Sequence, residues 1–125
     1  RWYLSALFPA ERLRFLHPDE ISAEGPDQFD LAVSISSLAE MTPEQVRHYL
    51  DLFDRIMAGG IVYLKQWTSW PNPEDGVTMT FDRYPIPTSW RLLLKETAPV
   101  QTAFTQAAWA VPGPPPGRAG TSPSG

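Results

Sequence analysis

Phe29-Asp30-Leu31-Ala32-Val33-Ser34-Ile35-Ser36 is a mostly apolar run of strand length, rich in β-branched residues, and it opens the stretch that decides the fold. Thr42-Pro43-Glu44-Gln45 comes next. The Thr42 hydroxyl can cap a helix, Pro43 suits the first helical position, and the Gln45 side chain can reach back to the cap. Val46, Tyr49, Leu50, Phe53, Ile56 and Met57 then recur at spacings of three and four, which gives the helix one apolar face. Arg47, His48, Asp51, Asp54 and Arg55 fall mostly on the other face. Gly59-Gly60 closes the helix, because glycine accepts the left-handed geometry of a C-terminal cap. Ile61-Val62-Tyr63-Leu64 reads as a second strand.

Two apolar strands joined by one amphipathic helix predict a right-handed βαβ crossover and a parallel sheet whose two faces both need cover. In an open sheet of this kind ligands bind beyond the carboxyl ends of the strands. Those ends are Ser34 to Met41 and Lys65 to Trp70, so function is expected there.

The composition narrows the classes. The 125 residues suffice for one modest domain, and 42% hydrophobic with 19% charged residues is a globular composition. A net charge of −4 without a basic run argues against a nucleic-acid partner. The chain has no cysteine, which excludes disulfides and thiolate metal sites and fits a reducing, cytoplasmic compartment. No apolar run approaches the ~20 residues that span a bilayer. The chain begins at Arg1 and runs at once into Trp2-Tyr3-Leu4, which reads as a cut inside a larger protein.

Before the crossover, Arg1 to Phe8 reads as the last turns of a helix stopped by Pro9. Arg12 to Leu16 is a short strand candidate ended by His17-Pro18-Asp19-Glu20, and Ile21 to Gln28 reads as a loop. After the crossover the pattern is irregular. Trp70-Pro71-Asn72-Pro73 is unsuited to a central strand, Asp75-Gly76 signals a turn, and Val77 to Phe81 is a short strand candidate. A long loop of this kind is usually functional or a lid. Trp90 to Thr97 and Ala103 to Val111 read as an antiparallel pair at the sheet edge, although Leu92-Leu93-Leu94 also suits a short helix. Residues 1–111 form the domain, and the Pro/Gly/Ser-rich residues 112–125 are expected to be a disordered tail.

Phe29 to Ser34 followed by Ser36-Ser37-Leu38-Ala39-Glu40-Met41 resembles the fourth strand and following loop of class I S-adenosylmethionine-dependent methyltransferases. Met57-Ala58-Gly59-Gly60-Ile61-Val62-Tyr63 resembles their helix-to-fifth-strand junction. With Phe15-Leu16-His17-Pro18-Asp19 before it and the Trp/Pro-rich segment after it, the whole is similar to a sugar O-methyltransferase family. The resemblance implies an α/β fold: a partial doubly wound, Rossmann-like sheet, mainly parallel, with an antiparallel edge pair. It also implies S-adenosylmethionine as cofactor and a sugar-like hydroxyl as acceptor. The family's strand order is 3-2-1-4-5-7-6, and its first strand ends in a Gly-rich cofactor loop. This chain has no such loop and matches the family from the third strand and then the fourth onward. It is therefore expected neither to bind cofactor well nor to methylate alone, and to leave an unpaired sheet edge open to association.

Candidate site residues follow. By resemblance, Asp19 reaches the adenine amino group, and Ser34 and Ser36 face the methyl donor; a solvated loop acid and small packing residues are the plain alternatives. Glu40 lies just past the first strand, where a carboxylate can take a proton from a hydroxyl. Its alternative is a first-turn charge favourable to the next helix. Trp67, Trp70, Tyr84 and Trp90 cluster around the long loop. Neighbouring prolines favour Trp70 and Tyr84 as sugar-stacking residues, with Trp67 beside them, whereas Trp90 starts an apolar run and reads as core. His48 lies on a polar helix face, His17 is a weaker candidate base, and a metal site from these two is improbable. Lys65 suits an ion pair or an acidic group on a substrate. Pro114-Pro115-Pro116 suits either a bare tail or a proline-recognition domain. The rival to an enzyme is a non-enzymatic α/β module that pairs with another chain through its bare edge.

Overall fold

The structure is a computed structural model that describes residues 6–7, 13–22 and 29–113. Its described elements run α1 (Pro18–Ser22), β1 (Leu31–Ile35), a 3-10 turn (Leu38–Glu40), α2 (Pro43–Ile56) and β2 (Ile61–Trp67). They continue with β3 (Ser69–Pro71), β4 (Thr78–Thr80), a second 3-10 turn (Phe81–Arg83), β5 (Arg91–Thr97) and β6 (Phe104–Ala110).

The central crossover forms as the sequence predicts. β1 and β2 pair in parallel, with Leu31 opposite Ile61 and Ile35 opposite Lys65. Between them α2 starts with a full capping box: Gln45 N donates to Thr42 Oγ1 at 3.2 Å, and Thr42 N donates to Gln45 Oε1 at 3.0 Å. Gly59 takes a φ of 83° beyond the helix end. At Gly60 a Cβ would stand 2.8 Å from the Asp30 carbonyl oxygen, so the return into β2 runs too close to the chain before β1 for any side chain.

The four-stranded sheet has the order β1-β2-β6-β5. β6 is antiparallel to both neighbours, so β5 points the same way as β1 and β2. The expectation of a mainly parallel sheet is corrected here: the sheet has one parallel and two antiparallel pairings, because the last strand inserts between β2 and β5. The predicted antiparallel pair does form, with a register shift between Leu92 and Leu94, and those leucines are strand and not helix. β3 and β4 make a separate two-stranded sheet in which Pro71 ends the pairing, a position that needs no further N–H donor.

Further corrections lie upstream. Described residues 13–17 carry no regular structure in place of the expected strand. Pro18–Ser22 is a helical turn, where a strand stop and loop were expected. The rest of the expected loop, most of the N-terminal helix and residues 114–125 lie outside the described residues.

One face of the sheet carries the core. Val62, Leu64 and Gln66 of β2 line up with Trp109, Ala107 and Thr105 of β6, and all six are buried. Val46, Leu50 and Ile56 of α2, with Met57 at its C-cap, join Val62, Leu64 and Trp109 in one apolar cluster. Phe81, Tyr84 and Trp90 from the long connection fill the same cluster. Trp90 Nε1 donates to Asp54 Oδ1 at 2.8 Å, tying that connection to the polar side of the helix. Thr68 N donates to the Ala103 carbonyl and Phe81 N to the Thr68 carbonyl, so the connection is anchored at its root. Among the described residues the opposite face has no such cover. Leu31, Val33 and Ile35 are 59%, 54% and 54% exposed there, with Ile61 and Leu94 exposed beside them.

Candidate functional site

β1 and β2 both end on one side of the sheet, and the segments beyond them meet. After β1 the chain turns through Ser36, whose φ of 62° is the left-handed value that a non-glycine residue adopts only in tight turns. Ser36 N donates to the Lys65 carbonyl at 2.7 Å, which closes the strand pair at its carboxyl end. The following 3-10 turn buries Leu38 and Ala39 and leaves Glu40 exposed. Those two anchors hold the backbone at Glu40.

Beyond β2 the chain passes through Trp70 of β3 into Asn72-Pro73-Glu74-Asp75-Gly76. This turn is locally locked. Glu74 N donates to Asn72 Oδ1 and Val77 N to Asp75 Oδ1, both at 2.9 Å, while Gly76 N donates to the Asn72 carbonyl. The result is a cavity of about 300 Å³ lined by Glu40, Trp70, Asn72, Pro73 and Glu74. Glu40, Trp70, Asn72 and Glu74 thus line one cavity beyond the carboxyl ends of β1 and β2.

Trp70 is held from behind. Its ring stacks on Trp67 with centroids 5.1 Å apart, and Trp67 stacks on Phe104 at 4.5 Å. Lys65 Nζ lies 5.7 Å from the Phe104 ring, a cation–π contact. Trp70 Nε1 is buried and has no hydrogen-bond partner among the described residues.

The expected site residues separate into groups. Glu40 and Trp70 share the cavity. Trp67 supports Trp70 and is not a wall of the cavity. Ser34 lies beneath, its hydroxyl and carbonyl both accepting from Gln66 Nε2. Ser36 forms the strand-end turn. Tyr84 is not a stacking residue at the cavity: it is 5% exposed in the core, edge-on to Phe81 at 5.6 Å. Burial raises its phenol from 10.0 to about 12. Asp19 is 96% exposed, lies 3.7 Å from His17 Nδ1, and is not part of the cavity. Trp90 is core, as its sequence context indicates.

Asn72 and Glu74 were not singled out in the sequence. The signal was present: an Asn-Pro-Glu-Asp-Gly turn places an amide and an acid two residues apart, one proline after a tryptophan. A larger, mostly apolar cavity of about 440 Å³ lies along the outer side of β1, between Phe15, Leu16 and Ile21 and the C-terminal end of α2 with Met57. Arg14 also lines it, and the rest of its lining is apolar. Among the described residues no cluster of three or more His, Asp or Glu side chains can hold a metal ion, and no helix is long and apolar enough to cross a membrane.

No protein-family model matches this chain, and no curated protein matches it.

Proposed function

We propose that the chain is the C-terminal, acceptor-binding part of an S-adenosylmethionine-dependent O-methyltransferase acting on a hydroxyl of a sugar or glycosylated metabolite. The observation that carries this reading is the order β1-β2-β6-β5, with the last strand inserted beside β2. It coincides with the 4-5-7-6 end of the 3-2-1-4-5-7-6 order that the resemblance implies. The convergence of Glu40 and Trp70 beyond two parallel strand ends supports it further.

The described residues do not by themselves fit the whole cofactor. Asp19 is solvated, Ser34 is engaged by Gln66, and the chain has no Gly-rich loop. The cofactor half therefore belongs to residues other than these, and the chain's own chemistry is on the acceptor side. The Trp70 ring offers a face for the apolar side of a sugar ring. The Glu40 carboxylate can accept the proton of the acceptor hydroxyl, the step that makes an alcohol oxygen nucleophilic.

The test uses the longest native polypeptide that contains this chain, with radiolabelled S-adenosylmethionine and a panel of monosaccharides. Transfer of label is expected, and Glu40→Gln lowers kcat by roughly 10²-fold or more, the usual contribution of a positioned base. A protein that transfers no label to any hydroxyl acceptor contradicts the reading.

One observation favours a second reading, a non-enzymatic module that pairs with another chain. The outer edge of β1 has no strand partner among the described residues, and its apolar side chains are more than half exposed.

A further inference from the structure

The edge of β1 and the mostly apolar cavity beside it make one demand between them. Ile61 N donates to the Asp30 carbonyl and Ser36 N to the Lys65 carbonyl, so Leu31, Val33 and Ile35 turn their backbone N–H and C=O groups away from β2. These groups have no strand partner among the described residues. They form a row that repeats about every 7 Å. The cavity of about 440 Å³ lies along this row and reaches both faces of the strand. Leu31 and Val33 line it from the open face, and Ala32, Ile56 and Met57 from the face that α2 covers. Arg14 adds a positive charge to the lining.

Three kinds of occupant meet these features unequally. A small apolar molecule fills the cavity but dries the row of peptide groups without bonding it. A second copy of β1 bonds the row, but alternation then turns its Ala32 and Ser34 towards α2, and those side chains are small for a cavity of this volume. An extended segment that is apolar at every position bonds the row and fills both sides, as buried strands do. Resting on the second reading above, we infer that β1 takes up such a segment of another polypeptide as an added strand. Charge complementarity gives that segment a carboxylate beside Arg14.

The test is an NMR titration of the full 125-residue chain, following the amides of Leu31, Val33 and Ile35. The probe is a capped peptide of alternating valine and isoleucine, five residues long, with a glutamate at each end. Its binding should shift all three amides. The same peptide N-methylated throughout has no N–H to donate and should bind more than about tenfold more weakly. Lysine in place of both glutamates should weaken binding about fivefold, the size of one exposed ion pair, and Arg14→Gln should erase that difference. Equal binding of the glutamate and lysine peptides overturns the carboxylate and leaves the edge pairing of the second reading standing. Equal binding of the N-methylated peptide overturns strand addition. Shifts of these amides with chain concentration alone overturn the inference in favour of a second copy. No shift with any peptide or concentration overturns both the inference and the second reading.

Discussion

The two faces of the sheet are made of the same residue classes and have opposite fates. Val62 and Leu64 are fully buried under α2, whereas Leu31, Val33 and Ile35 of the adjoining strand stand more than half exposed on the other side. Hydrogen-bond phase sharpens the contrast. Asp30 and Ser36 exchange backbone bonds with β2, so in a parallel ladder Leu31, Val33 and Ile35 turn their N–H and C=O groups towards the open edge. The same three residues carry the uncovered apolar side chains. The covered face thus explains why the chain folds. Among the described residues the other face and the β1 edge have no cover, and the candidate cavity lies beyond the carboxyl ends of β1 and β2.

The contrast can be attacked from both sides. Leu50→Ala on α2 removes a fully buried side chain and should lower stability by roughly 2–5 kcal/mol in urea unfolding. A loss under about 1 kcal/mol would mean that the covered face is not the core.

The second effect is read against pH. Tyr84 is held up to about 12 by burial, so the folded chain keeps a proton that the unfolded chain loses near pH 10.0. Its contribution is complete below pH 10.0 and is lost as pH rises towards about 12. Thermal melts should fall across that window, and Tyr84→Phe should flatten the fall. An unchanged slope in the variant would place Tyr84 outside the core.

Next in size is the start of the helix that covers the finished face. Thr42→Ala removes the bond from Gln45 N and should cost about 1 kcal/mol, measured by the shift in urea midpoint. The smallest expected effect is on the open face. Val33→Ser should change stability by no more than about 0.5 kcal/mol, because little apolar area there is buried. A large loss in this variant would erase the difference between the faces.

The contrast also separates what was legible in the sequence from what was not. The Thr42–Gln45 capping box, the helical spacing from Val46 to Met57 and the Gly59-Gly60 stop are local signals, and the structure follows them closely. The parallel pairing of β1 and β2 followed from chain connectivity alone. The insertion of β6 beside β2 is a long-range pairing that no local pattern encodes, and the mainly parallel expectation failed there. Likewise the prolines around Tyr84 marked irregular backbone but not its burial, which depends on Phe81 and the rest of the core cluster. At the site Glu40 and Trp70 were readable because both follow strand ends. Asn72 and Glu74 needed the folded turn that carries them back beside Glu40.

The measurement that tests the account most directly is calorimetric titration of S-adenosylhomocysteine into this 125-residue chain and into the longest native polypeptide that contains it. The chain alone, whose β1 edge has no strand partner among the described residues, is expected to give no binding heat, and the longer polypeptide to bind clearly. Tight binding to these residues by themselves, or none to the longer protein, contradicts the account.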